Sequence, residues 1–163
     1  GYWKDVGTIS SLWEANMEVL DPEHSGINLF DNNWKIYSRN SGMTGHKISA
    51  SADVHDSMIT DGCRIKGTVK HSVLFAGVKV AEGAVVEDAV VMGGTTIERG
   101  AVVRHCIIAE NVTIKENAVV GAMPEGDEHG VATVGSGITI GEGAVIGPKA
   151  MVRNNVEGGE EQW

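Results

Sequence analysis

Aliphatic residues return at a fixed interval near the end of the chain: Val134, Ile140, Ile146 and Val152 stand six apart. Ala132, Ile138, Ala144 and Ala150 precede each by two positions, and Gly135, Gly141 and Gly147 follow the first three directly. A step of six with one aliphatic side chain pointing the same way fits neither a helix of period 3.6 nor a simple alternating hairpin. Upstream, Ile48, Val54, Ile59, Ile65, Val69, Leu74, Val80, Val86, Val91, Ile97, Val103, Ile108, Ile114 and Val120 continue the ladder with one-residue slips. The slips are themselves periodic. Val80, Ile97 and Ile114 recur at 17, as do Val86 and Val103, and Val91 and Ile108. Two hexads and one shortened hexad per turn predict a solenoid with three flat faces, each aliphatic rung stacking on its equivalent in the next coil. Glycine falls where the chain must turn a corner. The pattern therefore predicts a mainly β chain, a parallel β-helix over residues 48 to 152.

The ladder is interrupted once, by "GAMPEGDEHGVAT" at residues 121 to 133, a polar excursion containing His129. Before the ladder, Ile9, Leu12, Trp13, Asn16, Met17 and Leu20 follow helical spacing, which predicts a helix with one apolar face, and Ser11 with Glu14 forms a candidate capping box. "DPEHSG" then breaks the chain, and "NLF" and "WKIYS" read as short strands around a "DNN" turn. The organisation expected is residues 1 to 20 as the end of one domain, 21 to 47 as connector, 48 to 152 as β-helix, and 153 to 163 as an acidic tail without periodicity. Two readings of Trp163 stay open: a cap on the open end of the solenoid, whose strand edges would otherwise be free to pair, or part of a disordered tail.

Composition narrows the function. A formal charge of -9 and a pI near 5.0 disfavour nucleic acid or an anionic membrane as partner. With no apolar run of membrane-spanning length and no signal pattern, a cytoplasmic protein is expected. Cys63 and Cys106 lack metal-ligand spacing. Each stands two residues before a rung, where Ala84, Ala89 and Ala101 stand elsewhere, so both are expected to be reduced and buried.

The opening "GYWKDVGTISSLWEANMEVLD", the "NLFDNNWKIYS" segment and "SVLFAGVKVAEGAVVEDAVVM" closely resemble the carboxyl-terminal part of the bacterial glucose-1-phosphate adenylyltransferases, also called ADP-glucose pyrophosphorylases. That resemblance, and not the spacing, makes the expected β-helix left-handed. It implies a parent enzyme that joins ATP and glucose 1-phosphate into ADP-glucose and pyrophosphate for glycogen synthesis, in a homotetramer. The amino-terminal catalytic domain of such enzymes is missing here, so this chain alone is expected to be inactive. By match to the family's Trp-x-Asp-x-Gly-Thr motif, Asp5 resembles a carboxylate ligand of catalytic Mg²⁺, and Trp3 resembles the aromatic that contacts the glucose moiety. Nucleotidyl transfer needs a metal to neutralise phosphate charge, and Mg²⁺ is commonly held by one or two carboxylates plus substrate phosphates. Mg²⁺ is thus implied for the parent, and no bound metal is expected here. The family's β-helix assembles the oligomer and reads anionic metabolite effectors. Arg99, Arg104, His105 and, more remotely, Lys149 resemble its effector-binding cations, since guanidinium groups match phosphate oxygens. A rival of another class is a stand-alone hexapeptide acyltransferase, with acyl-CoA along the coils and His129 as general base.

Overall fold

The computed structural model describes residues 1–126 and 130–163. Its body is a parallel β-solenoid of about 7 turns. The first face stacks β1 (Lys47–Ile48), β4 (Arg64–Ile65), β7 (Lys79–Val80), β9 (Thr96–Ile97), β11 (Thr113–Ile114) and β14 (Thr139–Ile140). The second stacks β2 (Asp53–His55), β5 (Thr68–Lys70), the first halves of β8 (Val85–Val91) and β10 (Val102–Ile108), β12 (Val119–Val120), β15 (Val145–Ile146) and β17 (Glu161–Gln162). The third holds β3 (Met58–Ile59), β6 (Val73–Leu74), the second halves of β8 and β10, β13 (Ala132–Val134) and β16 (Met151–Val152).

Every pairing among these strands is parallel and places rung on rung, as in Ile65↔Val80, Val80↔Ile97, Ile97↔Ile114 and Ile114↔Ile140. From Ile65 to Ile146 the rungs predicted from spacing are buried and form one continuous core. Ile48 is 46% exposed, because the first coil has no neighbour on its outer side. Each coil leaves an apolar edge that only the next coil covers, so the core exists only through stacking.

The one-residue slips have a local cause. The corner between the second and third faces is turned by Asp56, His71, Asp88 and His105, with φ of 42°, 41°, 49° and 43°. A left-handed residue reverses the chain direction in a single step, so rungs on either side stand five apart instead of six. For a residue with a Cβ this conformation costs roughly 1–2 kcal/mol, and stacking of coils on both sides holds it. A tighter corner separates Ile65 from Val69. There a Cβ on Gly67 would lie 2.4 Å from the Ala84 carbonyl oxygen and 2.5 Å from that of Ala81, so only glycine fits.

Cys106 pairs in register with Ala89 and Ala132 and is fully buried, as is Cys63, whose Sγ donates to the Phe75 carbonyl at 3.2 Å. Burial raises the pKa of both thiols. The thiolate is the reactive form, so neither cysteine should react with a disulfide reagent at neutral pH while the protein is native. Both should react stoichiometrically in denaturant, and rapid modification of either in the native protein would contradict their place in the core.

Three local expectations are corrected. Helix α1 spans Ile9–Glu18, but its cap is Thr8 and not Ser11: the Ser11 amide donates to Thr8 Oγ1 at 3.1 Å and the Thr8 amide to Ser11 Oγ at 3.1 Å. Glu14, released from capping, pairs with Lys4 at 3.0 Å. The "NLF" and "WKIYS" segments form no strand: neither pairs with any described strand. The connector carries the one-turn helix α2 (Pro22–Ser25), capped by Asp21, and is tied to the first coil where the Gly62 amide donates to the Thr44 carbonyl at 2.7 Å. The tail, conversely, is part of the solenoid. Val156 is buried and bridges to Ile140, the Thr139 amide donates to Asn155 Oδ1 at 2.9 Å, and β17 adds a last strand beside β15. The ring of Trp163 lies over Gly147, where a Cβ would come within 2.3 Å of it. Of the two readings of Trp163, the ring against the last coil is the one found.

Candidate functional site

The amino-terminal segment is held against the left-handed corner by α1. Its apolar face, with Met17 buried and Ile9, Leu12, Trp13 and Leu20 around it, packs on Val73, Val90, Ile107 and Val131 outside the solenoid. These are outward-facing aliphatics of the third face, one position before a rung or, in Val131, just before β13. Trp13 carries the specific contacts. Its Nε1 donates to the Asp88 carbonyl at 2.8 Å, and its ring lies against the His105 imidazole at a centroid distance of 4.6 Å and an angle of 59°. Asp88 Oδ1 in turn meets His71 Nδ1 at 2.5 Å. The helix thus grips a column of corner residues that the 17-residue repeat sets one above another.

A cleft of about 580 Å³ opens beside this contact, between α1 and the start of the excursion, and is lined by Ser10, Trp13, Asp88, His105, Met123 and Val131. Residues 1 to 8, ahead of α1, are pinned by Lys4, which bonds Glu14 at 3.0 Å and Glu18 at 2.5 Å, while Tyr2 donates to Glu18 at 2.6 Å. The Lys4 hydrogen bond, then that of Tyr2, holds the Glu18 carboxyl below its ordinary pKa. Pinning Lys4 leaves its neighbours on the other side of the extended chain open: Trp3 is 84% exposed and Asp5 is exposed. Asp5 Oδ1 accepts from the Gly7 amide at 2.9 Å, a turn that feeds the Thr8 cap. Asp5 suits one place in a Mg²⁺ coordination sphere, and among the described residues no group of three or more His, Cys, Asp or Glu is arranged to hold a metal. The remaining ligands would have to come from phosphate oxygens and other carboxylates.

The residues expected to read an effector are dispersed. Arg104 projects from β10 onto Glu87 at 3.2 Å, and Arg99 stands at the corner after β9 with Glu82 at 3.8 Å. His105 is buried under Trp13, and Lys149 is at a left-handed corner after β15, its side chain against Gly130. The cleft at His105 and the groove at Arg99 are separate. His129, the general base of the acyl-transfer reading, lies outside the described residues. The Trp13, Asp88, His105 and His71 cluster was missed from sequence, although a signal existed: His71, Asp88 and His105 stand 17 apart, in phase with the repeat. No described helix is long and apolar enough to cross a membrane.

Stacked three-faced coils with aliphatic rungs define this chain as a hexapeptide-repeat solenoid protein. Its residues 42–141 match the family described as GlmU-like, C-terminal hexapeptide, and the chain belongs to that family. It is 54% identical over 87 residues to glucose-1-phosphate adenylyltransferase of Geobacillus stearothermophilus, a match covering 53% of this chain and 22% of that one. It is 56% identical over 89 residues to the enzyme of the same name from Bacillus mycoides, covering 55% and 23%. The matched region thus spans about a fifth of these relatives' length. Among solved structures, GDP-perosamine N-acetyl transferase from Caulobacter crescentus, in complex with CoA and GDP-perosamine, superposes with a TM-score of 0.50 at 19% identity. That match covers 73% of this chain and 53% of the other, and it shows the fold alone.

Proposed function

We propose that this chain is the carboxyl-terminal, regulatory and assembly portion of a glucose-1-phosphate adenylyltransferase, and that it does not turn over substrate by itself. The observation that carries this reading is the identity of 54% and 56% to enzymes of that name over half the chain. The amino-terminal segment supports it. Trp3, Phe30, Trp34 and Tyr37 are 84%, 71%, 78% and 85% exposed. Large exposed aromatics clustered in one region mark a surface made to be covered. In the whole enzyme, Asp5 would be one carboxylate ligand of Mg²⁺, and Trp3 would lie against the glucose of glucose 1-phosphate. Mg²⁺ there would neutralise charge on the phosphates of ATP. The role left to this chain is to hold both residues in place through Lys4 and the α1 contact. Anionic metabolites would act through the solenoid cations, with Arg99 and Lys149 nearer to solvent than His105.

The test is the mass of the native polypeptide in an extract of its source, probed with an antibody raised against this chain, beside an assay of ADP-glucose formation. A species more than about twice the mass of this chain, as an added typical catalytic domain requires, together with activity that the isolated chain lacks, is expected. A native polypeptide of about this mass that consumes acyl-CoA, and loses that activity on His129→Ala, would instead establish the acyltransferase.

A further inference from the structure

Two carboxylates of α1 stand where the helix itself gains nothing from them. Glu14 and Glu18 are one turn apart on the same face, and like charges at that spacing repel. Glu18 is also the last residue of the helix, whose last turn holds no basic residue, so its charge faces the negative end of the helix dipole. A residue that breaks local rules twice is kept for a contact elsewhere.

That contact lies ahead of the helix. The two oxygens of Glu18 take different partners: Oε1 accepts from Lys4 Nζ at 2.5 Å and Oε2 from the Tyr2 hydroxyl at 2.6 Å. Tyr2 and Lys4 flank Trp3, and Lys4 also adjoins Asp5. One carboxylate therefore grips the chain on both sides of the aromatic and next to the acid. Glu14 meets Lys4 at 3.0 Å, but its side chain is 54% exposed against 33% for Glu18. An exposed pair of that kind contributes little, whereas charge-assisted bonds to both oxygens of one carboxylate fix a geometry. Hydrogen bonding to Glu18 raises the pKa of Tyr2 and of Lys4 above their ordinary values. Trp3 and Asp5 are both exposed, so burial does not position them. Five residues before Glu18, Trp13 fixes the same helix to the solenoid through the Asp88 carbonyl. Solenoid, α1, Glu18 and the Trp3–Asp5 segment are thus joined in series.

We propose that Glu18 is a positioning residue, which by gripping Tyr2 and Lys4 together sets Trp3 and Asp5 as a pair for nucleotidyl transfer and ties them to the solenoid through α1. The inference rests on the enzyme reading given above. Glu18 itself touches no substrate in this role.

Two measurements test it. In the 163-residue chain, the two tyrosines are titrated by ultraviolet absorbance. Tyr2 should ionise above its ordinary value of 10.0 in the unsubstituted chain and shift back toward it in Glu18→Ala. Glu14→Ala removes the same charge and relieves the same repulsion within the helix, and it should leave the curve in place. In the longer polypeptide that carries this chain, Glu18→Ala should lower kcat for ADP-glucose formation about tenfold or more and raise the Mg²⁺ concentration needed for half-maximal rate, with KM for ATP changed less than about twofold. Glu18→Gln keeps one acceptor oxygen in place of two, so it should fall between Glu18→Ala and the unsubstituted protein in both measurements. Unchanged tyrosine ionisation in Glu18→Ala, full activity of that variant, or an equal loss of activity in Glu14→Ala would overturn the positioning role. A longer polypeptide that makes no ADP-glucose even when unsubstituted would overturn the enzyme reading, and the catalytic purpose of the grip with it, while the tyrosine titration would still decide whether the grip exists.

Discussion

Ile114→Asp is expected to abolish folding. Ile114 is fully buried, and its neighbours above and below in the first face are Ile97 and Ile140, equally buried. Removing the side chain of a core Ile costs roughly 2–5 kcal/mol, and an unpaired carboxylate enclosed in the core adds several more even after it takes up a proton. Together these approach or exceed the roughly 5–15 kcal/mol by which a domain is stable. In a solenoid the damage is not confined to one coil, because each coil is covered only by its neighbours. Circular dichroism should show loss of the β signal at 25 °C. Ile114→Val should fold and lose only about 1 kcal/mol in chemical denaturation. An Ile114→Asp protein that melts within a few degrees of the parent would mean that this rung does not point inward.

Trp13→Ala is expected to detach the amino-terminal segment while leaving the solenoid folded. Truncation of a large aromatic in a packed site costs about 3–5 kcal/mol, and the value here should fall near the lower bound because Trp13 is only partly buried. A single ten-residue helix is marginal in water on its own, so a loss of that size is enough to release α1 from Val73, Val90 and Ile107. Amide hydrogen exchange should speed up across residues 9 to 18 and stay slow in β8 and β10. Trp13→Phe keeps a ring against His105 and gives up the bond to the Asp88 carbonyl, which should cost about 1 kcal/mol. If Trp13→Ala left the exchange of α1 unchanged, the aliphatic face and the Lys4 bonds would be sufficient to hold the segment. In the whole enzyme proposed above, the same variant should lower activity by displacing Asp5 and Trp3, without touching either.

Some of these features were legible before any coordinates. An aliphatic residue every five or six positions decides locally which side chains point inward, because each strand alternates its faces and each corner consumes a fixed number of residues. The fold class, the stacked rungs from Ile65 to Ile146 and the buried cysteines follow from that count alone. So does the apolar face of α1, which its helical period betrays. The connector misled for a related reason: "NLF" and "WKIYS" have strand composition, but a strand exists only where another strand offers it hydrogen bonds. The tail misled in the opposite sense. Val156 stands only four residues after the last predicted rung, Val152, and it becomes a rung because it bridges to Ile140 while its neighbour Asn155 accepts from the Thr139 amide across the coil.

What the sequence determined, then, is everything that depends on intervals along the chain: a three-faced parallel solenoid, its core and the helix before it. What the tertiary structure alone decided is which outward-facing groups meet. Trp13 reaches the Asp88 carbonyl across 75 residues, and His71 and Asp88 meet across 17, as do Glu87 and Arg104. Burial is set residue by residue by the hydrophobic effect and leaves its period in the sequence. Contacts between polar side chains depend on strand register and on corner geometry, which the stacking of coils fixes only once they have closed.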